Sequence, residues 1–397
     1  MIRQNLHRLI ASSAAEMIDF AARLVAIPTE NPPGAAYAAC VETIAAELDR
    51  LGLRAEVLPV PGQPQTHYVR AFHGPGQRTL YFHGHYDVVP AAHPAQFQPE
   101  RRGGNLYGRG SADMKAGLAA MIYAIKAIKD SGLSLQGRLG LLLVPDEETG
   151  GVRGSRPLTT AGTLGADGLG MLTPEPSGGV IWNASRGALS LRVTVKGKAA
   201  HVGVHFQGVN AFEGMLDVAA RLRELRLEVE THTTGFRIAP EAARRSILLL
   251  GGVCSGGTSF NAVPDGVSFT VDRRTNPEEN FEEEKARLLA CLEKTARSGL
   301  QLEIEILQEG RAAGFSEGEP LVQALAQSVE TVTGQPPCVE LCPGLLEIRY
   351  YAERNVPALA YGPGQLSVAH RPEEFVSVKD VEDCAAIYAL TAAKMLA

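Results

Sequence analysis

Residues 137–151 read "GRLGLLLVPDEETGG", an apolar run that ends directly in three adjacent acids. An apolar run without alternation is typical of a strand buried on both faces, as in a parallel sheet. The adjacent pair Glu147 and Glu148 can be an ordinary solvated turn. Whether the two glutamates have a functional role therefore depends on which other residues lie at the same edge of the sheet.

Helical and strand patterns alternate around this run through the first 180 residues. Residues 67–72 ("HYVRAF") and 78–84 ("RTLYFHG") have strand patterns, whereas 37–52 and 114–132 have helical ones. This order predicts an α/β fold with a mostly parallel sheet flanked by helices.

The pattern changes from about residue 183. Alternating strands such as "ALSLRVTVKG", "RRSILLLGGV" and "GVSFTVDRR" occur with helices near 208–224 and 277–297, which predicts a small antiparallel α+β unit. The helix and strand alternation resumes after residue 300, with a last helix from about Val378. We therefore expect a main domain of residues 1–183 and 299–397, interrupted by an inserted domain of residues 184–298.

The composition is that of an ordinary globular protein. Of 397 residues, 45% are hydrophobic and 21% charged, which argues against disorder. The net charge of −6 is spread along the chain, so neither a nucleic-acid nor an anionic-membrane surface is expected, and a small-molecule substrate fits better. The N-terminal segment suits an amphipathic helix rather than a signal peptide, and no apolar run could span a bilayer, so we expect a cytosolic protein. Its six cysteines lack C-x-x-C spacing and are expected to be reduced.

Histidine and carboxylate side chains follow several of the expected strands. His85 and Asp87 lie two residues apart at the end of one strand, where they can face the same way as an imidazole and the carboxylate that orients it. Asp113 precedes a long helix and could equally be an N-cap, Glu175 follows another strand, and His370 lies in a loop after "VPALAYG". Open α/β sheets place their sites at this edge.

Convergence of these acids would require positive charge. Asp113, Glu147, Glu148 and Glu175 would repel one another in one cleft, and no run of Lys or Arg lies near these motifs. Two divalent cations would balance the four charges, with His85 and His370 as neutral ligands. Mixed imidazole and carboxylate donors favour Zn²⁺, with Co²⁺ or Mn²⁺ as alternatives. Such a paired-metal site can hydrolyse amides.

These motifs occur in the order found in a known enzyme family. The chain resembles the di-zinc metallopeptidase family of acetylornithine deacetylase, succinyl-diaminopimelate desuccinylase, aminoacylase and glutamate carboxypeptidase, through "GHYDVVP", "GRGSADMKAG", "DEETGG", "PEPSGG" and "AHRPEEF". The resemblance covers nearly the whole chain. It implies a zinc-peptidase-like catalytic domain with an inserted dimerisation or lid domain.

The resemblance also implies a role for each residue of the cluster. His85 and Glu175 would hold one metal, Glu148 and His370 the other, and Asp113 would bridge them, followed by a cis peptide bond to Met114. Asp87 would orient His85. Glu147 would be the general base, which explains why it stands beside a ligand.

Further site residues are implied in the inserted domain and near the C-terminus. "GKAAHVGVHFQGVNA" matches a motif whose histidine, here His201, reaches the partner subunit's active site in relatives to stabilise the oxyanion, so a homodimer is expected. His205 is expected to be structural. Asn261, Arg274 and the backbone of Gly364 would hold the substrate carboxylate.

One segment departs from the family pattern. Many relatives have Ser/Thr-Asp-x-Arg before the last strand, in a segment that lines the substrate region, whereas this chain has Glu347 in place of the aspartate and retains Arg349. This difference leaves the subfamily open.

The leading hypothesis is metal-dependent removal of an acyl group from an N-acyl amino acid. The glutamate at 175 favours a deacylase or carboxypeptidase over an aminopeptidase or dipeptidase, by resemblance to relatives. The close alternative is a carboxypeptidase or dipeptidase that cleaves a short peptide. An N-carbamoyl amidohydrolase is disfavoured by "GRGSADMKAG", and a non-catalytic binding protein is disfavoured because Glu147 and all five ligand candidates are present.

Overall fold

A computed structural model describes residues 2–293 and 300–397. Within them the helices are α1 (Ile2–Val25), α2 (Tyr37–Arg50), α3 (Ala116–Asp130), α4 (Ser155–Thr160), α5 (Ala211–Val229), α6 (Phe281–Glu293), α7 (Pro320–Thr333), α8 (Ile348–Ala352) and α9 (Val378–Leu396). None of these helices is long and apolar enough to cross a membrane.

The strands of the same residues are β1 (Ala55–Val60), β2 (Gln63–His73), β3 (Thr79–His85), β4 (Glu100–Arg102), β5 (Asn105–Tyr107), β6 (Arg138–Val144), β7 (Gly168–Thr173), β8 (Ile181–Ser185), β9 (Gly187–Lys196), β10 (Ala200–His201), β11 (Ile247–Gly256), β12 (Ala262–Val263), β13 (Gly266–Thr275), β14 (Gln301–Gly310), β15 (Ala313–Gly314), β16 (Val339–Cys342), β17 (Ala358–Ala360) and β18 (Phe375–Ser377).

The chain forms two compact units. The first comprises residues 1–183, 315–340 and 347–397, and the second comprises residues 184–314 and 341–346. The expected boundary at 298/299 lies outside the described residues. Residues 301–314 and 341–346, which we expected in the first domain, belong to the second unit. Residues 301–310 do so because β14 pairs along its length with β9.

The sheet of the first unit runs in the order β1-β2-β6-β3-β7-β17. Strands β6, β3, β7 and β17 are parallel, whereas β1 and β2 pair antiparallel at one side, so the core of the sheet is parallel as predicted. Parallel strands are buried on both faces, and every residue of β3 is buried. Helices α1, α3 and α9 pack against one another, and apolar residues of all three share one core with β3 and β6.

The parallel arrangement brings the ends of four strands to one edge of the sheet. The register pairs His85 at the end of β3 with Val144 at the end of β6, and β7 and β17 run in the same direction. The loops that follow the four strands therefore leave the sheet at one edge.

The second unit is an antiparallel sheet in the order β11-β13-β9-β14. Side chains of β9 and β13 alternate between buried and more exposed, and the buried ones pack with α5 and α6. One face of the sheet thus makes the core of this unit.

Candidate metal and catalytic site

The first unit brings together His85, Asp113 and Glu148. Each offers one ligand atom, and these three atoms lie within 4.8 Å of one another. His85 Nε2 lies 3.2 Å from Asp113 Oδ1, and His370 Nε2 lies 3.4 Å from Asp113 Oδ2. His370 Nε2 is also 3.3 Å from Glu148 Oε2. The two oxygens of the Asp113 carboxylate thus face two different histidines.

The side chain of Asp87 fixes both the His85 ring and the acidic loop. His85 Nδ1 lies 3.0 Å from the Asp87 backbone oxygen and 3.4 Å from Oδ1, so a neutral ring carries its proton on Nδ1 and presents the Nε2 lone pair to the cluster. The same carboxylate accepts hydrogen bonds from the backbone N–H groups of Glu147 and Glu148, each at 3.2 Å. One buried aspartate therefore aligns a ligand histidine with the two glutamates.

Asn31 supports the acidic loop that carries Asp146, Glu147 and Glu148, and the sequence did not predict this contact. Asn31 is buried, and its Nδ2 donates to Asp87 Oδ2 at 2.8 Å and to Asp146 Oδ1 at 3.2 Å. Asp146 has a left-handed backbone (φ 74°) and accepts from Arg153. Asn31 lies in "TENPPGA", which carries a turn signal but nothing that indicates a contact with residues more than 50 positions later.

The Asp113 segment enters α3 through irregular backbone. Asp113 is extended (φ −122°, ψ 93°), and its peptide bond to Met114 is cis, as the resemblance implies. No side-chain capping hydrogen bond is formed at the start of α3, so Asp113 is not the N-cap that the sequence left open. Its carboxylate faces the histidines instead.

Glu147 and Glu175 complete the acidic cluster. Burial raises the pKa of Glu147 to about 8, reinforced by the nearby carboxylates of Glu148, Glu347 and Asp113. Burial and the charge of Asp113 also raise the pKa of Glu175 well above its usual range. Among the described residues of the first unit, no Lys or Arg forms an ion pair with either glutamate. Both are thus short of positive charge.

The pKa values of the two histidines are raised as well, because carboxylates surround them. Although burial lowers it, contact with Asp113 and Asp87 raises the pKa of His85 well above its usual range. Hydrogen bonds to Asp113 and Glu148 raise the pKa of His370 to about 10. Protons on these rings thus supply part of the positive charge that the cluster requires. A pair of divalent cations satisfies the same requirement, and imidazole and carboxylate groups are suitable donors, so the residues fit two metal ions.

Glu347 and Arg349, at the departure from the family pattern, lie beneath the acidic loop. Glu347 is buried, and its Oε2 lies 2.6 Å from His83 Nε2, two residues before His85 on β3. Arg349 Nη2 and the Tyr350 hydroxyl donate to the Gly150 carbonyl at 3.1 and 3.0 Å. The segment therefore supports the loop that carries the two glutamates.

Gly364 lies in the first unit, where only glycine suits the backbone. Its φ is +85°, and a Cβ at this position would lie 3.2 Å from Ala112 Cβ, next to Asp113. Its carbonyl accepts from the Gly178 N–H at 2.9 Å. This loop therefore packs against the segment that carries Asp113.

The other three expected site residues lie in the second unit. His201 is exposed, and its Nδ1 accepts from the Gly203 N–H at 3.1 Å. Asn261 is exposed and accepts from the Ser259 hydroxyl. The Arg274 Nε and Nη2 donate to the two carboxylate oxygens of Asp272 at 2.6 and 3.0 Å.

Comparison with known proteins gives concordant matches. The profile described as Peptidase family M20/M25/M40 matches residues 81–394. A succinyl-diaminopimelate desuccinylase of Alkalilimnicola ehrlichii is 30% identical over 94% of this chain and 97% of its own. The fold is similar to that of an M20 family metallo-carboxypeptidase of Sulfolobus solfataricus, with a TM-score of 0.80 and 18% identity over 96% of this chain and 99% of the other. It is also similar to a Bacillus subtilis protein described as a dinuclear metal binding peptidase, with a TM-score of 0.68 and 16% identity over 96% of this chain and 98% of the other.

Proposed function

Because the chain belongs to Peptidase family M20/M25/M40 and is therefore an amide-bond hydrolase, we propose that it removes the acyl group from an N-acyl amino acid with two bound divalent metal ions. One observation carries the proposal: the two oxygens of Asp113 face His85 and His370, and Glu147, beside them, forms no ion pair with any Lys or Arg in the described part of the chain. A base and a bridging carboxylate are what hydrolysis at a paired-metal site requires.

We assign the ligand roles by the family resemblance, and the contacts of His85, Asp113, Glu148 and His370 support them. His85 and Glu175 would hold one ion, Glu148 and His370 the other, and Asp113 would bridge them. Zn²⁺ is the ion that these donors favour, with Co²⁺ and Mn²⁺ as alternatives. Two such ions would polarise the amide carbonyl and acidify a water molecule at the site.

Glu147 would carry the proton. Its carboxylate would accept a proton from the attacking water and deliver it to the leaving amine. The Asp87 contacts to the backbone of Glu147 and Glu148 support this role, because they hold both side chains at the cluster. Asp87 would be a positioning residue rather than a ligand.

Desuccinylase relatives support an acyl amino acid as the substrate class. The A. ehrlichii protein aligns over almost the full length of both chains. The Asn261 amide, the Arg274 guanidinium and the Gly364 loop would hold the carboxylate of such a substrate. Cleavage of a short peptide with a free carboxylate, as by a carboxypeptidase or dipeptidase, is the second candidate, and the M20 fold neighbour of that activity favours it.

We further propose that the chain works as a homodimer. Strand β11 is an edge of its sheet, contains no charged residue, and exposes Leu249 and Val253 by 55% and 65%. An uncharged apolar edge is a pairing surface, and a second copy of the same edge fits it. The opposite edge, β14, carries Glu303 and Glu305.

His201 would act across this dimer. Because its Nδ1 accepts from the Gly203 N–H, a neutral ring carries its proton on Nε2. An exposed Nε2–H can donate to the oxyanion in the partner subunit's site.

The test is free-amine release from N-succinyl, N-acetyl and N-carbamoyl amino acids and from short peptides, by protein loaded with Zn²⁺ or Co²⁺. We expect turnover of an N-acyl amino acid that a chelator abolishes. Turnover of peptides alone would favour the second candidate, and no turnover by metal-loaded dimer would refute the proposal. The Glu147→Gln variant serves as the matched inactive control.

A further inference from the structure

Arg109 and Glu374 form an ion pair that is buried almost completely, with 2% and 1% of the residues exposed. Neither residue has a role in the hydrolysis proposed above. Burial of two charges is unfavourable unless their geometry and further hydrogen bonds compensate. Such a pair is therefore informative when its remaining contacts reach functional segments.

The contacts of Glu374 reach the Asp113 segment. Its Oε1 accepts from the backbone N–H groups of Ala112 and Asp113, at 3.0 and 3.2 Å. Its Oε2 accepts from Arg109 Nη1. One carboxylate therefore holds the irregular backbone just before α3 and pairs with the arginine at the same time.

The contacts of Arg109 reach the His370 loop. Its Nη2 donates to the His370 carbonyl at 3.1 Å and to the Pro90 carbonyl at 3.5 Å. Its Nη1 donates to the Arg371 carbonyl at 3.4 Å. His370 has a left-handed backbone (φ 65°), which is unfavourable for a residue other than glycine and needs support from its surroundings.

The pair therefore connects three segments that each adjoin the cluster: the one after β3, the one before α3, and the loop with His370. Asp113 and His370 make their 3.4 Å contact through their side chains, while their backbones are held by opposite ends of the same ion pair. An arginine fork matches two carbonyls and a carboxylate in a way that an ammonium group cannot.

We infer that Arg109 and Glu374 are positioning residues that set the separation of Asp113 and His370, and so control the metal position that these two residues share with Glu148. The inference rests on the proposed function, because it assumes that the cluster binds metal. Neither residue is a ligand or a base in this account.

The test compares Glu374→Gln and Arg109→Lys with wild type by calorimetric titration of Co²⁺ and by the visible absorption of bound Co²⁺, which reports its ligand geometry. Glu374→Gln keeps an acceptor for the two N–H groups but removes the charge, and Arg109→Lys keeps the charge but removes the fork. We expect each variant to bind the ion assigned to Glu148 and His370 about 10- to 100-fold more weakly, with a changed spectrum, and the ion assigned to His85 and Glu175, which shares Asp113, to be weakened less. Excess Co²⁺ should restore part of the turnover.

Glu47→Gln is the matched control, since Glu47 is another buried carboxylate paired with arginines, Arg23 and Arg50. It should lower the unfolding temperature and leave Co²⁺ affinity and spectrum unchanged. If Glu374→Gln and Arg109→Lys behave in the same way, losing stability alone, the inference is wrong. If wild type binds no Co²⁺, it is the proposed function that fails.

Discussion

Binding of metal to the metal-free protein should release protons, because several residues of the cluster are protonated before metal binds. At pH 7 both ligand histidines are protonated, since neighbouring carboxylates raise the pKa of His85 well above its usual range and that of His370 to about 10. Coordination requires the neutral ring, so each histidine releases one proton. Asp113 contributes none, because its histidine neighbours outweigh burial and lower its pKa.

The buried glutamates add to this release. The pKa of Glu147 is about 8, so Glu147 is mostly protonated at pH 7 in the metal-free protein. Burial and the charge of Asp113 raise the pKa of Glu175 in the same direction. Two nearby cations favour the charged carboxylates and displace these protons. The total is therefore ~2–4 protons per chain. Because protons compete with metal, the apparent metal affinity should rise as the pH rises from 6 towards about 10.

The assay is calorimetric titration of Zn²⁺ at pH 7 in buffers that differ in ionisation enthalpy. The slope of the observed enthalpy against the buffer enthalpy gives the protons released. The His370→Ala variant should release about one proton fewer, and replacing the exposed His7 by Ala should change nothing. Release of less than one proton per chain, or affinity that falls with rising pH, would refute the electrostatic account of the cluster.

Three further outcomes are expected. Glu147→Gln should lower kcat by about 10²- to 10⁴-fold without loss of bound metal. Amine release measures kcat and elemental analysis measures the metal content. Turnover at the wild-type rate would exclude the base role. Glu47→Gln should cost about 2–4 kcal/mol in the free energy of unfolding at neutral pH. Burial opposes ionisation of Glu47, but hydrogen bonds from Arg50, Tyr123 and Arg23 lower its pKa from 4.5 to about 2. The stabilisation is therefore complete above pH 4.5 and disappears as the pH falls to about 2. Urea unfolding at several pH values would show this loss. Leu249→Glu on β11 should convert dimer to monomer in analytical ultracentrifugation, and an unchanged dimer would place the interface elsewhere.

The local signals predicted the first unit well. Continuous apolar runs identified β3 and β6, and their parallel pairing placed His85 and the Glu147–Glu148 pair at one sheet edge. The matching family profile covers residues 81–394, as the ordered motifs implied. The sheet is mostly parallel, as predicted, with the antiparallel strands β1 and β2 at one side.

Long-range pairings could not be predicted from the sequence. The second unit continues to residue 314 because β14 pairs with β9, and nothing local in "QLEIEILQEG" distinguishes that partner from the main sheet. Asn31 contacts Asp87 from 56 residues away, and Glu374 contacts Arg109 from 265 residues away. Glu347 stands where the motif of relatives has aspartate, and its contact with His83 on β3 could not be predicted from that motif. Such contacts depend on the fold rather than on periodicity.

Anomalous X-ray diffraction at the zinc absorption edge, from crystals of the Zn²⁺-loaded protein, tests the central claim most directly. The account predicts two peaks about 3.5 to 4 Å apart, as in paired-metal hydrolases, with Asp113 between them. One peak would adjoin His85 and Glu175, and the other Glu148 and His370. A single peak, or peaks that do not involve Asp113, would contradict the two-metal account of this site.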